Sequence, residues 1–478
     1  MISSFDYDRS RLTPGLVHIG VGNFHRSHQA AYLDQLLGHR ETDWAYWGVG
    51  LLPQDAQMRD ALAAQDFSYT LLQNLDTGVR DAHTIRSIVG MEVAPENPAR
   101  VMARLTDPAT RIVSLTITEG GYNISDSTGE FDADNPAIQA DLDPELPPTT
   151  VFRFLAEALQ RRRDAGIAAF TVMCCDNLPG NGNVARRAVC GFAELFSPGL
   201  GAWIASNVAF PNSMVDRITP VTTEADRAYL RDTYQVTDRW PVPCEPFVQW
   251  VLEDTFPTGR PAFERAGVQL TADVVPYENM KLRLLNGAHQ ALGHFGLLLG
   301  DELVDQTAND SRMIELMGRY FEEGIPTLGA VPGVDLDEYT TTLLSRFANP
   351  YIRDTNARLA TDASDRIPKF VLPVVNARLQ HGQDCLIAIA IVAAWVRRVE
   401  LAAQAGDLNQ LYDRLAPQLV ASFRADDDLA FLRDPAIFGD LAAQPAFTTP
   451  YLKLLKLLRE TGPRGFLATL LTKTPSLA

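Results

Sequence analysis

The sequence predicts an α/β protein in two parts: an open, largely parallel sheet with its helices over residues 1–270, then a mainly α-helical domain over 271–478. Three observations lead there. Short β-branched runs alternate with helically spaced segments through the first half. The first of these runs ends on Gly-x-Gly. From Tyr277 onward, apolar residues recur mostly at the 3.6-residue period. With 478 residues the chain is too long for one comfortable core and suits two large domains.

Residues 16–22 read as a strand closing on Gly20-Val21-Gly22, and residues 29–37 then show helical spacing. A strand, a tight glycine turn and a helix start make a dinucleotide pyrophosphate site, because backbone N–H groups and the helix dipole face the phosphates. The third glycine of that fingerprint is missing, since Asn23, Phe24 and His25 follow Gly22. Taken alone, the motif fits an ordinary tight turn equally well. Residues 44–52 form the next strand-like run and 55–64 a helix; 69–73 and 82–89 read as further strands, and 98–105 as another helix. Residues 111–117 make a buried strand leading into Thr118-Glu119-Gly120-Gly121-Tyr122, and 168–174 a strand ending on Cys175-Asp176-Asn177. This alternation indicates a Rossmann-type domain, in which ligands gather at the carboxyl ends of the strands. Glu119 and Asn177 lie just past two such ends. After the second strand the only acidic residue placed to hold a ribose 2′-hydroxyl is Asp55, and no arginine is placed for a 2′-phosphate, which favours NAD. Residues 130–149 are acidic and proline-rich and read as a surface excursion.

In the second half, helices are expected over 281–299, 311–323, 337–347, 384–403, 408–423 and near 451–458, with a domain boundary near 270. The helix at 281–299 is the unusual one. On a regular helix of about 100° per residue, Lys281, Glu278, His289 and Asn286 fall near 0°, 60°, 80° and 140°, one arc that also carries Leu282 and Leu285. A polar side facing water is the ordinary explanation; the two leucines argue instead for a side lined with protein. A partly buried lysine is a candidate general base, because desolvation lowers its pKa. Residues 353–370 read as a basic loop and turn, either solvated with local salt bridges or supplying Arg358, Arg366 and Lys369 to an oxygen-rich substrate.

Composition narrows the function classes. Apolar residues make up 46% and charged residues 21%, ordinary soluble usage. No run approaches the roughly 18 apolar residues of a membrane span. The N-terminal residues lack the pattern of an export signal, which favours the cytoplasm. A net charge of −17 argues against nucleic acid or an anionic membrane as partner. Cys174, Cys175, Cys190, Cys244 and Cys385 form no C-x-x-C pair, and the eight histidines form no H-E-x-x-H, so free thiols and no metal are expected.

Gly20 to Arg26, Ser114 to Asn123, Cys175-Asp176-Asn177, Phe210 to Pro220 and Lys281 to His289 together closely resemble the polyol-specific long-chain dehydrogenases, over about residues 15–375. The resemblance implies a metal-independent, NAD-dependent, monomeric enzyme that interconverts D-mannitol and D-fructose. It implies Lys281 as general base, Asn177 and Asn286 as donors to the developing alkoxide, and His289 as a residue placing the reacting oxygen. Glu119 resembles a carboxylate on a proton path, and Glu278 lies one helical turn before Lys281; each either relays protons or holds the lysine by an ion pair. Gly20, Gly22, Asn23, Phe24, Asp55 and Thr118 fall at cofactor-binding positions, and Asp216, Arg358 and Arg366 at positions that contact substrate. A hexuronate reductase acting on fructuronate or tagaturonate shares the same helix, and arabinitol or glucitol are variant substrates. A cofactor-binding sensor without turnover would have no need of Lys281 beside Asn177, Asn286 and His289.

Overall fold

The computed structural model describes residues 2–40, 42–125, 129–424 and 426–472; the Glu119 side chain lies outside the described part. The chain divides into two compact units, Met1–Val275 and Pro276–Ala478. In the first, β1 (Thr13–Ile19), β2 (Trp44–Gly50), β3 (Ile88–Val93), β4 (Ile112–Leu115) and β5 (Thr171–Cys174) form a five-stranded sheet in the order β3-β2-β1-β4-β5. All four pairings are parallel. Parallel neighbours need crossovers, and these contain α1 (Gln29–Gly38), α2 (Asp55–Ala63), α3 (Pro98–Thr106) and α4 (Val151–Asp164).

The two-residue period of the strands supplies both faces. Val17 and Ile19 of β1, Val113 and Leu115 of β4 and Val172 of β5 pack with Leu105 of α3, Phe154 of α4 and Phe192 of α5 (Asn181–Phe196). Leu16, Ile112 and Met173, one residue out of phase, pack with Leu33 and Leu36 of α1 and Leu62 of α2. Helices on both faces make the sheet doubly wound, and its order reverses between β1 and β4, where such folds bind ligands.

One expectation for this unit needs correction. The strand expected over 82–89 is two strands in different sheets. Arg80–Ile85 pairs antiparallel with Tyr69–Asn74, while β3 joins the parallel sheet. Between them, the Arg86 N–H donates to Asp34 Oδ1 of α1 at 2.7 Å, Ser87 Oγ donates to the Ala30 carbonyl of α1 at 2.7 Å, and the Ser87 carbonyl accepts from the Tyr46 N–H of β2 at 2.9 Å, so the chain turns from one sheet to the other. Helices α4 and α5 fill stretches to which the sequence reading assigned no element. The excursion over 130–149 carries a short helix, Pro136–Asp141, whose Asp141 carboxylate accepts from the backbone and hydroxyl of both Thr149 and Thr150.

The second unit is helical. Helices expected at 311–323, 337–347 and 384–403 are found at Ser311–Gly324, Leu336–Phe347 and Leu386–Ala405. The last is apolar nearly all round and buried, as a core helix must be. Residues 408–423 do not make one helix: a 3₁₀ turn, Leu408–Leu411, and a helix, Ala416–Ser422, are separated by Tyr412, whose φ of 53° no helix accommodates. Residues 353–370 are largely helical, with Asn356–Leu359 and Ala363–Phe370 in place of the expected loop. The final helical stretch, Pro445–Thr472, is two helices meeting at Gly462. Among the described residues no helix is long and apolar enough to cross a membrane.

Candidate active site

In the first unit, two loops leave the sheet at its switch point. Gly20 follows β1 with φ +94°, and a Cβ there would lie 2.0 Å from the Thr116 carbonyl oxygen, so this turn requires glycine. At Gly22 a Cβ would meet only the Gly20 carbonyl oxygen at 3.8 Å, which leaves its backbone open to a close-approaching group. Thr116, just past β4, donates its hydroxyl to the Gly20 carbonyl at 2.8 Å. That hydroxyl must then accept from His18 Nε2 at 2.9 Å, and His18 Nδ1 in turn accepts from Ser114 Oγ at 2.8 Å. Burial pushes the His18 pKa down to about 3, so a neutral imidazole of one tautomer braces the turn. The His25 ring stacks on His18, with centroids 3.5 Å apart.

Asn23 begins a five-residue helix, Asn23–Ser27, accepts from Arg26 Nη2 at 2.6 Å and donates to the Pro220 carbonyl at 3.1 Å; Phe24 stacks on His28. Asp55 opens α2 beside the last residue of β2, its Oδ2 fixed by the Leu52 N–H at 2.9 Å. A braced glycine turn, an open Gly22 and a carboxylate after β2 are the features a dinucleotide needs for its pyrophosphate and adenine ribose. Thr118 has φ 67° and ψ 161° and heads a short 3₁₀ turn, Glu119–Tyr122. Asn177 is exposed just past β5, and Asp216 is buried at the end of the strand Ser213–Asp216.

In the second unit the expected regular helix is interrupted. An α-helical turn, α6 (Val275–Met280), runs into a π-helical segment, Lys281–Asn286, and α-geometry resumes in α7 (Gly287–Leu299). In a π-turn the hydrogen bonds run i→i+5, so residues five apart stack on one face as residues four apart do in an α-helix. Lys281 and Asn286 are five apart. The wide angle expected between them thus closes, and the inserted residue gathers them on one side. Glu278 lies three residues before Lys281 and His289 three after Asn286, both in α-geometry and both neighbours along that face. Glu278 and Lys281 are each 8% exposed and Asn286 7%; His289 is half-buried, its ring 5.1 Å from that of Phe347.

The π-turn has a visible support, which the sequence reading missed. Tyr320, on α8 (Ser311–Gly324), donates its hydroxyl to the Arg283 carbonyl at 2.8 Å. It can approach because residue 287 is glycine, where a Cβ would lie 1.9 Å from the Tyr320 oxygen. The basic segment behaves differently. Exposed Arg358 forks onto Asp354, Arg366 donates to the carbonyls of residues 358 and 359, and Lys369 pairs with Asp365.

A family model described as the mannitol dehydrogenase Rossmann domain matches residues 14–265, and one for the mannitol dehydrogenase C-terminal domain matches residues 273–456. The chain belongs to the mannitol dehydrogenase family. A mannitol 2-dehydrogenase of Neosartorya fischeri is 44% identical over 444 residues, 91% of this chain and 88% of the relative. The structure of Pseudomonas fluorescens mannitol 2-dehydrogenase, a ternary complex with NAD and D-mannitol, matches at 44% identity with a TM-score of 0.86, covering 99% of this chain and 97% of that one. A substrate-free D-sorbitol dehydrogenase matches at 38% identity with a TM-score of 0.89, covering 98% and 97%. The resemblance read from the motifs is thus borne out for this member of the mannitol dehydrogenase family, an oxidoreductase. Among the described residues of this family member, no group of three or more His, Cys, Asp or Glu is placed to hold a metal ion.

Proposed function

We propose that the chain catalyses the NAD-dependent, metal-independent oxidation of D-mannitol to D-fructose, and the reverse, working as a cytoplasmic monomer. The observation that carries this reading is the π-turn, which sets a buried lysine and a buried amide on one face with His289 one turn further on. Similarity to a mannitol 2-dehydrogenase bound to NAD and D-mannitol supports the substrate and cofactor.

NAD, when bound, would supply the hydride acceptor, and the Gly20–Gly22 turn with Asn23, Phe24, Thr118 and Asp55 would hold it. Lys281 Nζ takes the C2 hydroxyl proton as the C2–H bond breaks. The amide N–H groups of Asn286 and Asn177 donate to the substrate oxygen as negative charge builds on it, an oxyanion hole in which each donor is often worth about 2–4 kcal/mol. His289 orients the same hydroxyl, Glu278 and Glu119 serve the lysine as positioning or proton-path carboxylates, and Asp216, Arg358 and Arg366 contact the polyol. The proton on Lys281 Nζ then leaves to water, which restores the neutral lysine and balances the reaction as D-mannitol and NAD⁺ giving D-fructose, NADH and one proton.

A uronate substrate would call for a guanidinium fork, which Arg366 or Arg358, the latter paired with Asp354, would have to supply. The test is a paired assay of NADH consumption with D-fructose and with fructuronate. D-Fructose is expected to be reduced at least about tenfold faster in kcat/KM, roughly 1.4 kcal/mol of transition-state preference. Preference for fructuronate would replace the polyol reading with a hexuronate reductase.

A further inference from the structure

The carboxylate of Asp176, a residue 8% exposed, gathers two backbone N–H groups and a tyrosine hydroxyl at the carboxyl ends of β4 and β5. The Ile117 N–H reaches Oδ2 at 2.9 Å, the Thr118 N–H reaches Oδ1 at 2.9 Å, and the Tyr122 hydroxyl reaches Oδ2 at 2.6 Å. Tyr122 is 1% exposed, and its oxygen also lies 2.7 Å from Cys174 Sγ. From the other side, Asn181 at the start of α5 donates Nδ2 to the Asp176 carbonyl at 3.0 Å and to the Ser213 carbonyl at 2.8 Å, and accepts from the Ser213 N–H at 2.9 Å. Asp176 is therefore fixed through both its side chain and its backbone.

What this clamp holds is not relaxed. Thr118, at φ 67° and ψ 161°, occupies a region that is essentially glycine's alone, and a β-branched residue stays there only when its surroundings over-determine it. Two adjacent N–H groups converging on one carboxylate supply that determination. Deleting the carboxylate would orphan both N–H groups and release the strained turn that begins at Thr118 and carries Glu119. Asn177 is the residue directly after Asp176, so any shift of the Asp176 backbone passes to it.

We propose that Asp176, backed by Tyr122, is the positioning residue that sets the Thr118 turn and Asn177 together, so that the cofactor-side loop and the candidate alkoxide donor share one anchor. This rests on the assignment of Asn177 above. Asp176→Asn keeps the shape but turns an amide N–H toward donors. It is expected to lower kcat for D-mannitol oxidation by about 10²-fold, as small misplacements of reacting groups do. KM for D-mannitol is expected to stay within about threefold, because the reacting geometry and not polyol binding is disturbed. The kinetic isotope effect on kcat with D-mannitol deuterated at both of its equivalent carbons, C2 and C5, rises, as hydride transfer becomes the slow step. Tyr122→Phe, which removes the hydroxyl donor and keeps the packing, gives a loss on the order of 10-fold with the same isotope signature. It decides the matter if Asp176→Asn does not fold.

A merely structural role would reduce the folded fraction and leave kcat per folded molecule and the isotope effect at wild-type values in both variants. That result overturns the proposal. Asn177→Ala separates this from the underlying assignment: full turnover in Asn177→Ala refutes the role of Asn177 whatever Asp176 does, and a wild-type protein inert toward D-mannitol refutes the polyol reading itself.

Discussion

Replacing Lys281 with alanine is expected to lower kcat for D-mannitol oxidation by about 10²- to 10⁴-fold, the range a positioned general base contributes. The reasoning starts from burial: Lys281 is 8% exposed, on a segment whose neighbours Leu284 and Leu285 are buried. A long cationic side chain is rarely placed there for stability alone, since its desolvation costs more than an apolar residue would. Alanine is a good helix former but takes a cation from beside the equally buried Glu278, so the melting temperature of the variant is read alongside its rate. Loss of rate with an unchanged melting temperature would separate chemistry from folding. A small primary amine added to Lys281→Ala should restore part of the rate by occupying the vacated volume as a base. Full turnover in the variant would remove Lys281 from the chemistry.

Gly287→Ala is the second large effect. The added Cβ would fall 1.9 Å from the Tyr320 hydroxyl oxygen and 2.7 Å from the ring carbon bearing it. Tyr320 is fully buried and cannot swing away, so the π-turn or α8 must move. Overpacking of this kind costs about 1–3 kcal/mol of stability, read as a lower melting temperature. The loss of rate should exceed what the stability change explains, about 10²-fold in kcat, because Lys281 and Asn286 share a face only while the π-turn persists. Adding Tyr320→Phe to Gly287→Ala removes the closest clashing atom and should recover part of the stability. It should recover less of the rate, since the Arg283 carbonyl then loses the hydroxyl that supports the turn. A Gly287→Ala protein with wild-type kcat would show that the π-turn is dispensable.

The legible parts of the fold were those written locally. The β-branched run ending at Leu115, the Gly20 turn and the period of α7 and α8 each announced their elements, because backbone preference and burial act in the same direction there. The π-turn was hidden because a single inserted residue hardly disturbs an apolar period, and its causes, Gly287 and Tyr320, lie on separate helices. The break at Arg86 and Ser87 was hidden for the same reason: the Arg86 N–H and the Ser87 hydroxyl bond to α1, more than fifty positions earlier. In the candidate site, the proposed roles of Lys281, Asn286 and His289 could be read from residue type against an apolar background. Asp176 could not, since its partners are mostly backbone N–H groups, which every residue but proline carries and no sequence pattern marks. Arg358 reads as a substrate ligand from its charge alone, and its i,i+4 ion pair with Asp354 becomes visible only once the segment is known to be helical.

The most direct single test is the initial rate of NADH formation from NAD and D-mannitol between about pH 7 and 10, with D-fructose identified as product. A base that must be neutral to accept the hydroxyl proton predicts kcat/KM that rises with pH through one ionisation and then levels. No NADH formation from D-mannitol anywhere in that range, with rapid NADH consumption on fructuronate alone, would contradict the polyol assignment while leaving the fold and the π-turn in place.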